Sequence, residues 1–280
     1  MFRGLLFRLL VLCPFLGGPA VAAGGTGPVV PNFWDTRTRI EKPDLSWVRV
    51  VRIMTDDEFP PLHFAGPDGV PTGFAVELAR AACEVLAVAC TIQARRFDTL
   101  LPALEAGHGD VVAAGIPITA SLREGFAVTA PFHRMPARFV ARRERAPDRF
   151  RPEVLAGRTV AVIAGTAHEA FLKTHFPEAE AKPYANLIAA REALRAGEVD
   201  YLFGDGMSLA LWLNGRVAAD CCRFVGGPYL ESRYFGEGVG FVFRKDDKVL
   251  RRAFDYALQR LWDNGTYAEL YLRYFPVGFY

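Results

Sequence analysis

The feature that most constrains this chain is an alternation of short apolar strands with amphipathic helices, run through twice. From Arg49 the residues read as strand 50–54, loop 56–61, a turn at Gly73, helix 74–86, strand 90–94, a helix opening near Phe97 and Asp98, and a strand at Val111. A second series follows, with strand 159–163, the turn Ala164-Gly165-Thr166, a helix to about His175, strand 181–184, helix 187–196 and strand 201–203. Gly204-Asp205-Gly206 ends that strand. The tail adds strand 239–243 and helices 247–264 and 267–274. Such alternation requires crossover connections, so the fold class is α/β with parallel or mixed sheets flanked by helices. Two tandem units imply a cleft between them, where strand ends from both sides can meet a ligand. Residues 142–152 break the pattern with mixed charges and two prolines and read as a solvated connection.

Within the first series, the stretch from Asp110 to Arg123 carries the clearest binding signal. Val-Val-Ala-Ala after Asp110 reads as a short buried strand, Gly115 to Pro117 break it, and Thr119 reads as the N-cap of a following helix. A strand that stops at glycine and delivers a helix N-terminus leaves backbone N–H groups pointing at one spot, with Arg123 one turn further on. That spot suits a carboxylate or another small anion.

The chain has 280 residues, 51% of them hydrophobic and 22 of them Phe, enough for one large core or two of ordinary size. Residues 1–22 place Arg3 and Arg8 around an apolar run that ends in Ala20-Val21-Ala22, a small-x-small cleavage pattern, and read as an export signal peptide. Cys13 follows Leu12, which is too large for the residue before a lipoprotein cysteine. The chain carries 33 bases against 31 acids, and the leader holds two Arg and no acid, so the remainder is balanced. A balanced charge gives no electrostatic case for nucleic acid or acidic membranes. Residues 23–47, rich in Gly and Pro and without a period, read as a leader or linker that packs through Phe33 and Trp34.

Export to an oxidising compartment bears on the cysteines. Cys83 and Cys90 stand across the end of a helix, where a turn can bring the sulfurs together, and are expected to form a disulfide. Cys221 and Cys222 are adjacent, and a bond between neighbours is uncommon, so two thiols are expected there. Neither Cys nor His spacing suggests a metal site, and no cofactor is implied.

Four segments together resemble a known family. They are 50–61, 73–102 with its paired cysteines, the 159–166 strand and turn, and 235–275. The tail is the most specific: Tyr234-Phe235-Gly236 to Gly240, then Arg244-Lys245-Asp246-Asp247, then Asn264-Gly265-Thr266-Tyr267 and Tyr274-Phe275. The chain resembles, over nearly all of residues 48–276, the periplasmic binding proteins for polar amino acids (solute-binding protein family 3), the lysine/arginine/ornithine, histidine and glutamine receptors of ABC importers. The resemblance implies a two-lobed type II periplasmic binding protein fold joined by two crossing strands. Lobe 1 would span 48–136 and 231–280, and lobe 2 would span 137–230. It implies a periplasmic monomer that binds an amino acid or a small carboxylate and delivers it to an inner-membrane ABC permease.

By position, the resemblance places the ligand between Phe59 and Phe97, with its α-carboxylate on Arg123 and the N–H groups around Gly115, Pro117 and Thr166. Its α-ammonium would meet Asp205, and Asp56 stands where basic amino acid receptors touch the side-chain cation. Where the family has Ser-x-Ser or Ser-x-Thr, this chain has Gly115-Ile116-Pro117, and Arg123 follows Thr119 by four residues instead of three. Two hydroxyl contacts are missing, and Pro117 has no N–H. Two other readings share the fold: an enzyme similar to cyclohexadienyl dehydratases, with Asp205, Glu58 or Glu169 as the general acid, and a periplasmic partner or sensory module that has lost its ligand.

Overall fold

A computed structural model describes residues 29–33, 39–275 and 278–279. The proposed signal peptide and Trp34 lie outside these residues. Two five-stranded mixed sheets organise the chain. The first runs in the order Ala89–Ala94, Val50–Thr55, Val111–Val112, Val242–Arg244, Phe126–Val128. Its first three strands are parallel and the last two pairings antiparallel. The second runs Glu180–Tyr184, Thr159–Ile163, Tyr201–Asp205, Ala137–Arg142, Cys222–Tyr229, with the same division into parallel and antiparallel pairings.

Period-two burial explains why these residues form strands. Ile53 and Val111 face a core shared with helices Phe74–Leu86, Lys248–Asp263 and Thr266–Tyr274, while Met54 and Val112 face Leu100, Leu104 and Leu122 on the other side. In the second sheet Val160, Val162, Phe139 and Phe203 face one cluster, and Ala161, Val140 and Leu202 the other. Sheets covered on both faces bury both sides of their strands, so Ala137–Arg142 buries even Arg138, shows no polar alternation and escapes sequence reading. Cys222–Tyr229 escapes it through Gly226, Gly227 and Pro228, which read as turn residues. Helix Gly206–Leu213 is hidden by Gly204 and Gly206, whose spacing around Asp205 reads as the end of a strand.

One connection stands as expected, and two expectations need correction. Residues 142–152 join two strands of the same sheet, and Arg142 closes Ala137–Arg142 with its side chain only 14% exposed. Most of the residues that follow it are exposed, so the connection is solvated, as expected. The Val-Val-Ala-Ala strand is ordered in the ladder only at Val111–Val112, although Ala113 and Ala114 stay buried. Cys221 and Cys222 are bonded to each other and are not free thiols. Cys83 and Cys90 are also bonded, with Cα atoms 6.3 Å apart, across the left-handed Ala87 that ends helix Phe74–Leu86.

The chain passes between the sheets twice, through 129–136 and 230–241, where Val239 bridges both Pro117 and His133. Met207 and Ala210 of Gly206–Leu213 join the core on the first sheet, so a helix of the second unit packs against the first. The leader packs as well: Leu45 enters that core, and the Phe33 ring lies under Arg134 at 5.5 Å. Among the described residues no helix is long and apolar enough to cross a membrane.

Candidate functional site

The proposed binding residues sit at the carboxyl ends of parallel strands in both sheets, the position where open α/β sheets present their loops to ligands. On the first sheet, Thr55 closes its strand and donates its hydroxyl to Ala113 O at 2.7 Å, tying two strand ends together. Asp56 follows directly, and the chain turns back as the hairpin Glu58–Phe59 with His63–Ala65. That register pairs Phe59 with His63, with ring centroids 5.6 Å apart. Phe97 opens the short helix after Ala89–Ala94. Asp56, Phe59, Phe97 and Gly115 thereby line one cavity of about 330 Å³, together with Glu58 and His63. Phe59 and Phe97 are 40% and 50% exposed, which leaves their faces open to a ligand. A wider depression continues past Asp57, Arg95, Arg96 and Asp98, where Arg96 is paired with Asp98 at 2.7 Å.

His63 is the residue that sequence reasoning missed. It is 1% exposed, its Nδ1 lies 2.7 Å from Asp56 Oδ1, and its Nε2 accepts the Gly115 N–H at 2.8 Å. An acceptor Nε2 assigns the ring proton to Nδ1, on the side of Asp56. Burial pushes the imidazole below its ordinary pKa despite the neighbouring carboxylate, so the ring is neutral. The same contact explains the glycine at 115, because a Cβ there would lie 3.1 Å from His63 Nε2 and 3.3 Å from Phe59 Cδ1. Strands of two and three residues show no period, so nothing in the sequence pointed to His63.

Pro117 and Arg123 are not among the residues lining this cavity. Pro117 bridges Val239 in the crossing segment. Thr119 caps Ala120–Gly125 by accepting the Leu122 N–H, and Arg123 on that helix donates to both carboxylate oxygens of Glu237, at 3.2 and 2.5 Å. The hydrogen bond from Arg123 holds Glu237 below the usual carboxylate range.

On the second sheet, Thr166 caps helix Ala167–His175, accepting the Glu169 N–H and donating to Ile163 O at 2.7 Å. Glu169 returns to accept the Gly165 N–H at 2.7 Å, which completes a reciprocal cap. Asp205 ends its strand and caps Gly206–Leu213, accepting the Ser208 N–H at 2.7 Å. It stays half-buried, and its negative charge acts on two neighbours, His168 and Arg191. Burial nonetheless lowers the pKa of both. Among the described residues no group of three or more His, Cys, Asp or Glu is placed to hold a metal.

The sequence matches the family model for bacterial extracellular solute-binding proteins, family 3, over residues 51–277. It is 30% identical to the L-arginine-binding protein of Pseudomonas aeruginosa over 232 residues, covering 82% of this chain and 89% of that protein. It is 29% identical to the lysine/arginine/ornithine-binding periplasmic protein of Escherichia coli, with the same coverage. In fold it is similar to the unliganded, open L-cystine solute receptor of Neisseria gonorrhoeae, with TM-score 0.70, 21% identity, and coverage of 81% of this chain and 92% of that one. It is also similar to an ancestral arginine-binding protein bound to arginine, with TM-score 0.53, 27% identity, and coverage of 81% and 98%. The two mixed sheets with loops at their strand ends, together with the match across 51–277, make this chain a member of the bacterial extracellular solute-binding proteins, family 3.

Proposed function

We propose that this chain captures a cationic amino acid in the cleft between its two sheets and hands it to an inner-membrane ABC permease. One observation carries the reading: the cavity at the strand ends of the first sheet combines two open aromatic faces, Phe59 and Phe97, with the carboxylates of Asp56 and Glu58. Flat apolar faces grip an aliphatic stem, and the acids favour a cation at its end, by direct pairing and through the cation–π attraction of the rings. The names of the arginine- and lysine-binding relatives support the same ligand class. Asp205 and Thr166 would close on the ligand from the second sheet. The reading takes the chain as a binding protein rather than an enzyme, in line with its family, and as a monomer. It places the protein in the periplasm, exported through residues 1–22 and beginning near Ala23.

Thermal shift of the mature protein against the amino acids tests the function, since a ligand that binds only the folded state raises its melting temperature. Arginine or lysine should give the largest shift. No shift with any amino acid, or turnover of prephenate, would displace the proposal. Recovery of the protein by osmotic shock with an N-terminus near residue 23 checks the location.

A further inference from the structure

Helices Leu187–Ala196 and Gly206–Leu213 pack on the same face of the second sheet, in the cluster that holds Val140 and Leu202. Residues at helical spacing on each, Ile188, Arg191 and Arg195 on one and Ser208, Leu211 and Trp212 on the other, line a cavity of about 570 Å³ with Val217 at its edge. It shares no lining residue with the cavity on the first sheet. Ile188, Leu211 and Val217 are 66%, 48% and 69% exposed, so three large apolar side chains meet water around one hollow. Arg191 lies half-buried by the Trp212 ring, 5.5 Å from its centroid, and gives one nitrogen, Nη2, to Ser208 O at 2.6 Å. Its Nη1 stays in contact with solvent and donates to nothing. Its buried Nε and the buried indole N–H of Trp212 have no acceptor among the described residues either. Burial lowers the guanidinium's pKa although the charge of Asp205 acts the other way, as expected for a cation without a paired carboxylate. Arg195 adds an exposed cation, and Glu192 is the one acid among the described lining residues.

We infer that this groove is a second ligand site, separate from the cleft, for a small apolar monocarboxylate. Its carbon skeleton lies against Ile188, Leu211, Val217 and the Trp212 ring, and its carboxylate meets Arg191. An aryl or branched alkyl acid suits both halves of the site, and the volume is in the range that takes a small molecule. The carboxylate supplies the acceptor that a half-buried guanidinium lacks, and a charge-assisted pair beside apolar walls is worth more than one in open water. A neutral analogue of the same shape keeps the apolar contacts and loses the pair. Preference for the acid over its alcohol is therefore the signature of the site, and it stands whatever the cleft binds.

Calorimetric titration of the mature protein with phenylpropanoate and phenylpropanol decides it. Phenylpropanoate should occupy one site and bind at least about tenfold more tightly than the alcohol. Arg191→Met keeps an apolar stem by Trp212 and should abolish that preference, leaving the alcohol within about threefold. Val217→Glu changes an exposed position, so it should fold as wild type does, and it should weaken the acid by at least about tenfold. Phe97→Ala, in the cleft, should change the acid by less than about threefold. Binding of the acid weaker than about 10 mM, a preference below about threefold, or a loss on Phe97→Ala equal to that on Val217→Glu overturns the inference. So does a concentration-dependent dimer that Val217→Glu abolishes, because a second copy of the chain would then cover the groove.

Discussion

His63 Nε2 accepts the backbone N–H of Gly115 at 2.8 Å, so a side chain of the Glu58–Phe59 hairpin region saturates the corner where the strand Val111–Val112 runs out. Because the ring is buried and neutral, it acts there as a fixed acceptor and holds Gly115 against Phe59. His63→Ala removes the acceptor and leaves a partly buried N–H without a partner, which costs about 1–3 kcal/mol before any loss of packing. Urea denaturation should show that loss. Gly115→Ala should cost less stability but displace Phe59, and so weaken ligand binding more than folding. A His63→Ala variant as stable as wild type would mean that the contact holds nothing.

Asp205 does two things that substitution can separate. Its side chain caps Gly206–Leu213 through the Ser208 N–H, and its charge faces the neighbourhood of His168. Asn caps as well as Asp, so Asp205→Asn should leave stability within about 0.5 kcal/mol. Asp205→Ala should cost about 1 kcal/mol for the lost cap. Both should weaken binding of a cationic ligand by at least about tenfold, since each leaves the cation without its partner. Arg273→Ala, which breaks the exposed pair with Glu269, is the control and should leave affinity unchanged. Asp205→Asn with wild-type affinity would place the ammonium contact elsewhere.

The long, periodic elements were readable from sequence. Helix Phe74–Leu86 and helix Leu187–Ala196 appear at the predicted bounds because their apolar faces repeat over about three turns, and in the second case Asn186 caps the start. Strand Thr159–Ile163 was legible because it is apolar between turn residues. The aromatic and acidic lining of the cavity was found only through position in a familiar order of segments. Propensity alone cannot say that Phe59 and Phe97, 38 residues apart, share a wall. What stayed hidden depends on distant partners. The His63 contact with Gly115 spans 52 residues and that of Arg123 with Glu237 spans 114, and neither leaves a local pattern.

The two disulfides should differ in what they contribute. Cys83–Cys90 closes a loop of sequence separation 7, for which chain-entropy arguments give roughly 2–3 kcal/mol. Cys221–Cys222 joins neighbours and constrains almost no chain. Mass mapping of exported protein under non-reducing conditions should find both bonds. The pair of changes Cys83→Ala and Cys90→Ala should lower the urea-derived stability by several times as much as Cys221→Ala with Cys222→Ala. Alkylation of Cys83 and Cys90 without prior reduction would remove the first claim.

His133 makes stability depend on acidity. It lies in the first crossing segment, stacked on Phe275 at 4.8 Å and packed edge-on against Phe74 and Phe279, and neither ring nitrogen has a hydrogen-bond partner among the described residues. Full burial among aromatic rings, with no partner to stabilise the imidazolium, pushes its pKa down to about 3. In the unfolded chain the ring titrates near 6.5. Between those two values the unfolded state holds a proton that the folded state refuses, so stability is lost as the pH falls, by about 1.4 kcal/mol for each pH unit. Above about pH 7 the ring is neutral in both states and contributes no dependence. His133→Phe keeps an aromatic ring in the stack and removes the titration. The two proteins should therefore differ by a nearly constant amount above pH 7, and the variant should gain on wild type by about 2–3 kcal/mol on going to pH 4.5. Urea titrations at pH 7.5, 6.0 and 4.5 read the difference directly. Parallel stability curves across that range would show that His133 is either accessible to water or paired when charged.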